Sequence, residues 1–91
     1  MMTTQASTFI RSPELDERGP YQRERRRTLE VAGLYPPRIR FNCRTNVWIR
    51  AEIEAWEAAR AAGATDEQVR TLVRNLIAKR ADSMPALAIA A

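Results

Sequence analysis

Apolar positions along the chain fall into a few short periodic runs separated by glycine and proline. The clearest lies late in the chain. Val69, Leu72, Val73, Leu76 and Ile77 recur at i, i+3, i+4, i+7 and i+8, with Arg70, Arg74, Asn75 and Lys79 on the other side, which predicts an amphipathic helix over residues 64–81. Thr65 followed by Gln68 supplies a capping box at its start. Before it, Ile49, Ile53 and Trp56 repeat at helical spacing and predict a helix over residues 51–61, closed by Gly63. Arg38-Ile39-Arg40-Phe41 instead alternates, and Val47-Trp48-Ile49 is β-branched and aromatic. With the turn residues 42–46 between them, these runs predict a small hairpin whose Ile39 and Phe41 point inward and whose Arg38, Arg40 and Arg44 point out.

Nearer the start, Ser12-Pro13-Glu14 offers a cap, a proline at the first helical position and an early acid, and Gly19-Pro20 stops that helix after about two turns. A second helix is predicted over residues 21–32, closed by Gly33 and barred from continuing by Pro36-Pro37. On its wheel Tyr21, Thr28, Leu29, Val31 and Ala32 form the apolar side. Gln22, Arg23, Arg26, Arg27 and Glu30 form the outward side, and Arg25 borders the core. Residues 1–8 are polar and expected to be disordered, and residues 82–91, with Pro85, are expected to form a flexible tail. The expected fold class is mainly α with a small β-hairpin. There is no internal repeat.

Charge sharpens this outline. The net charge of +4 is carried entirely by the first half: residues 1–45 hold nine Arg against five acids, and residues 46–91 hold six Arg or Lys against six. Between Arg18 and Arg50 nine Arg face only Glu24 and Glu30. Such a basic segment beside a neutral one suggests a polyanion-binding face on a support. Arg in place of Lys favours forked contacts to phosphate and guanine edges. It also follows from GC-rich coding, and the Arg26–Glu30 spacing equally suits a simple surface ion pair.

What the chain lacks narrows the chemistry. It has no His, and its single Cys43 allows neither an internal disulfide nor a zinc site, so no cofactor and no metal are expected. With no His as general base and no phosphate-binding Gly-rich loop, an enzyme is not expected. No apolar run reaches the roughly 20 residues of a membrane span, and the start has no signal-peptide pattern. The expected location is cytoplasmic, with no membrane partner.

The stretch Phe9-Ile10-Arg11, then Gly33-Leu34-Tyr35-Pro36, Arg44, Trp48 and Glu52-Ile53-Glu54-Ala55-Trp56 carries a specific likeness. It resembles the small MerR-like winged-helix proteins of the AlpA type, a group that includes phage and integrative-element excisionases, or recombination directionality factors. The likeness covers roughly residues 9–60. It departs in the second helix, where Pro-Tyr-Gln-Arg-Glu-Arg-Arg-Arg stands in place of the usual Ser-Thr-x-Tyr type, so base preference does not carry over.

The resemblance implies a winged helix-turn-helix over residues 9–62, with the residue 64–81 helix as an addition. It implies double-stranded DNA as partner, an integrase whose excision reaction is promoted, and self-association head to tail on repeated sites. Control of a promoter by the same fold is the alternative. Gln22, Arg23, Arg26 and Arg27 would read or approach bases from the recognition helix, and Arg25 a phosphate. Arg44 at the wing tip, supported by Arg38, Arg40, Asn42 and Thr45, would contact the backbone or a minor groove. Val69, Leu72, Val73, Leu76 and Ile77 are the oligomerisation candidates, unless they pack into their own core. A third function, in which the arginines contact an acidic protein, stays open.

Overall fold

The computed structural model describes residues 8–82. The elements run β1 (Phe9–Ile10), α1 (Ser12–Arg18), α2 (Arg23–Val31), β2 (Ile39–Asn42), β3 (Thr45–Ile49), α3 (Arg50–Ala61) and α4 (Asp66–Asp82). Four helices and a three-stranded antiparallel sheet of order β1-β3-β2 make a mostly helical domain. The expected disordered start and flexible tail lie, apart from Thr8 and Asp82, outside the described residues.

Backbone chemistry explains the element ends. Gly33 and Gly63 have φ of +79° and +87°, the left-handed region where a side chain is strained. At each, the N–H of the glycine and that of the next residue return to the helix. Gly33 and Leu34 donate to the Glu30 and Leu29 carbonyls, and Gly63 and Ala64 donate to those of Arg60 and Ala59. Both helices thus close in Schellman motifs. At the start of α4 the Gln68 carboxamide oxygen accepts the Thr65 N–H at 2.9 Å while Thr65 Oγ1 accepts the Gln68 N–H at 3.2 Å, a complete capping box. Thr65→Ala is expected to lower unfolding free energy by about 1 kcal/mol, measured by chemical denaturation. Thr65→Ser should retain most of it.

The sheet has two unlike faces. Ile10 pairs with Trp48 across β1–β3, and Arg40 pairs with Asn46 across β2–β3. Because paired residues and next-but-one neighbours share a face, Ile10, Trp48, Asn46 and Arg40 lie together. Phe9, Ile49 and Ile39 occupy the opposite face. The core joins all the helices to this sheet through Ile10, Leu15, Leu29, Leu34, Tyr35, Trp48, Ile53, Trp56, Val69 and Val73. Burial pushes the Tyr35 phenol up to about 12.

Three expectations change here. Phe41 is exposed rather than inward, resting edge-on against Phe9 at 5.0 Å between ring centres, because it shares with Ile39 the sheet face opposite Ile10 and Trp48, which is not the core face. Ser12 is the first residue of α1 and not its cap. Val69 and Val73 are fully enclosed, so α4 contributes to the common core, and these two residues leave no surface for a neighbour. Leu72 and Leu76 are half-buried and Ile77 is exposed.

Leu34, Glu52 and Trp56 are framework. Trp56 Nε1 donates to the Leu34 carbonyl at 2.8 Å, fixing the corner after α2. Glu52 accepts both Nε and Nη2 of Arg80, and Arg80 Nη2 also reaches the Pro37 carbonyl at 2.9 Å. That fork ties the end of α4 to the start of α3 and to the proline corner.

Candidate nucleic-acid interface

The RERRR run divides differently from its wheel. Arg26 is 2% exposed. Its Nη1 donates to Asp16 Oδ1 at 2.8 Å and to the Tyr21 carbonyl at 3.1 Å, and its Nη2 donates to Ser12 Oγ at 2.9 Å. The guanidinium also lies 5.8 Å from the Trp48 ring centre. This arginine therefore clasps α1 to α2 from within, and the expectation that it faces outward to read bases is overturned. Its face of the helix is Arg26, Leu29 and Glu30, an i, i+3, i+4 stripe. Val31, assigned to the apolar side, is 74% exposed.

Glu30 also leaves the outward side. Its carboxylate, 3% exposed, accepts Arg38 Nε at 2.9 Å, Arg38 Nη2 at 3.3 Å and Trp48 Nε1 at 3.0 Å. Arg38 lies 5.2 Å from the Trp48 ring centre, a cation–π contact. The fully outward placement of Arg38 is thus corrected: its Nε and Nη2 hold the hairpin base to α2, and only its Nη1 is left over. Arg27 remains outward, 61% exposed, with a loose 3.5 Å contact to Glu30.

The other predicted cations stay available. Arg23 and Arg25 are exposed on α2, Arg40 on β2 and Arg44 at the turn, and none makes an ion pair among the described residues. Arg25 lies 6.0 Å from the Tyr21 ring centre. Gln22 is exposed at the cap position of α2 and makes no side-chain cap bond. Asn42 is committed to the turn, its Oδ1 accepting the Arg44 and Thr45 N–H groups at 2.9 and 3.0 Å. Thr45 is half-buried at the start of β3.

A cleft of about 220 Å³ brings the two cationic segments together. Its walls include Arg11 and Ser12 at the start of α1, Arg23 at the start of α2, and Arg38, Asn46 and Trp48 from the hairpin. Among the described residues no carboxylate lines it, although Glu30 lies behind the wall, bonded to both Arg38 and Trp48. Arg11 is exposed and makes no ion pair among the described residues; it was not among the expected contacts, although its signal was present as the charged residue directly after Phe9-Ile10. By contrast, Glu14 is paired away from the cleft. The Arg50 guanidinium, 2.7 Å from Glu14 Oε2, holds that carboxyl below the usual range.

Elsewhere, an apolar groove of about 660 Å³ runs along Phe9, Ile39, Ile49, Ala55 and Leu76. Among the described residues no group of three or more His, Cys, Asp or Glu could hold a metal ion, and no helix is long and apolar enough to cross a membrane. Comparison with protein-family models, with curated proteins and with solved structures gave no match to this chain.

Proposed function

We propose that the domain is a winged helix-turn-helix that binds double-stranded DNA, with α1 and α2 as the helix pair and β2–β3 as the wing. The observation that carries this is the convergence of Arg11, Arg23 and Arg38 on one acid-free cleft, with Arg40 on the sheet face that also carries Asn46. A helix in a major groove and a wing beside it need cations from two distant segments on one side of the body. Arg23, Arg25, Arg27 and Gln22 supply them from the helix, Arg40 and Arg44 from the wing.

Within that reading the role is architectural, in the manner of an excisionase. The protein binds repeated sites in attachment DNA, bends it, promotes excision by an integrase and does no chemistry itself. Copies associate along the DNA through the apolar groove that includes Leu76, Ile39, Ile49 and Phe9, with Phe41 beside Phe9. Control of a promoter by the same fold is the second reading.

Salt dependence tests the DNA-binding reading most directly. With about five phosphate contacts, log affinity for a duplex should fall against log salt with a slope of roughly −4 to −5. A flat dependence would refute the proposal. Several adjacent sites protected cooperatively in a footprint support the excisionase; one palindromic promoter site supports the regulator.

A further inference from the structure

Between a helix lying in the major groove and a wing in the neighbouring minor groove there must run one sugar–phosphate strand, the ridge dividing the two grooves. In this domain the space between those elements is not a smooth surface but the cleft of about 220 Å³. We infer that this cleft is a clamp for a single backbone phosphodiester, held by Arg11 and Arg23 with Arg38 and Asn46 beneath; the inference rests on the DNA-binding reading above.

The charge balance fits one anion. Arg11 and Arg23 each bring an uncommitted positive charge, whereas the charge of Arg38 is largely offset by its forked bond to Glu30. The cleft wall therefore carries about two net positive charges with no acid to oppose a phosphate. Arg38 is also pre-positioned. Its Nε and Nη2 are occupied by Glu30, so its remaining Nη1 is already oriented, and ordering it on binding costs little. Asn46 Oδ1 is buried without a hydrogen-bond partner. A half-turn of its amide exchanges that oxygen for an NH₂ donor, which an anion in the cleft would satisfy.

This clamp differs in kind from the contacts expected of Arg25, Arg27 and Arg44. Those are long, exposed side chains that can follow the duplex as it moves. The cleft draws on α1, α2 and the hairpin at once, so a phosphate lodged there fixes the rotational and axial register of the domain on DNA.

The test uses the full chain, labelled with ¹⁵N and observed in low salt through the Arg Nε–H, Asn46 NH₂ and Trp48 indole signals. Two probes are titrated separately: inorganic phosphate and a 20-base-pair duplex. The duplex is expected to shift the Arg23, Asn46 and Trp48 signals saturably, and phosphate to shift the same set at far higher concentration. Arg11→Ala combined with Arg23→Ala should weaken the duplex response at Asn46 and Trp48 by about tenfold for each cation lost. Arg74→Ala, on the exposed side of α4, should leave it unchanged. If the duplex shifts Arg44 while Asn46 and Trp48 stay still, the clamp is overturned and DNA binding stands. If phosphate shifts the cleft signals and the duplex shifts nothing, both the DNA-binding reading and the phosphodiester assignment fall, leaving a free-anion site. Silence of every signal overturns both.

Discussion

Replacing Arg26 with alanine is expected to lower the unfolding free energy by about 3 kcal/mol, an effect on folding rather than on DNA recognition. Removing one partner of a buried ion pair costs about 3–5 kcal/mol when the other is stranded. Asp16 is 39% exposed and can rehydrate, which sets the estimate at the low end of that range. The Ser12 hydroxyl and the Tyr21 carbonyl lose a donor as well. For a domain of this size about 3 kcal/mol is a drop of roughly 12–24 °C in melting temperature. Arg27→Ala should stay within about 0.5 kcal/mol. Arg26→Met should fall between the two, because it keeps the stem and removes a buried Nε that has no acceptor. Thermal melts followed by circular dichroism decide the matter; an Arg26→Ala protein melting with the wild type would show that the clasp contributes nothing.

The second large effect is on binding. Arg23→Ala with Arg44→Ala removes one cation from the start of α2 and one from the hairpin turn, and at about 1–3 kcal/mol each the pair should cost roughly 30- to 20,000-fold in duplex affinity. Neither side chain has an ion-pair partner among the described residues, so the melting temperature should hardly change. Fluorescence anisotropy at fixed salt measures the loss. Affinity within threefold of the wild type would remove the helix-and-wing account.

Much of the framework was legible because its causes are local. The glycines that must take positive φ, the Thr65–Gln68 cap and the alternation of residues 38–41 all act within a few positions, and each produced the expected boundary to within a few residues. The second helix misled because its large apolar residues are few. Leu29 and Val31 are two positions apart, about 200° around the axis, and cannot share a narrow face. Leu29 went in and Val31 stayed out. The rest of the buried stripe is Arg26 and Glu30, whose burial depends on partners brought from α1 and the hairpin. No periodicity of apolar residues reveals such a face. The same limit hid the role of Arg38, which looks like a free wing cation until Glu30 and Trp48 meet it. Strand β1 escaped because two residues carry no period. The cleft escaped because its cations are scattered from Arg11 to Arg38.

Glu30 gives the assembly a further property. One enclosed carboxylate joins the base of the β2–β3 hairpin to α2 beside it, so the spacing between them behaves as the fixed jaws of a caliper. On the proposed DNA-binding role, a duplex must bring its own groove width to that gauge, and sequences differ in the elastic work this takes. Discrimination then extends to base pairs that no side chain touches, and loosening the jaws with Glu30→Gln should narrow the affinity difference between stiff and deformable duplexes, measured by fluorescence anisotropy.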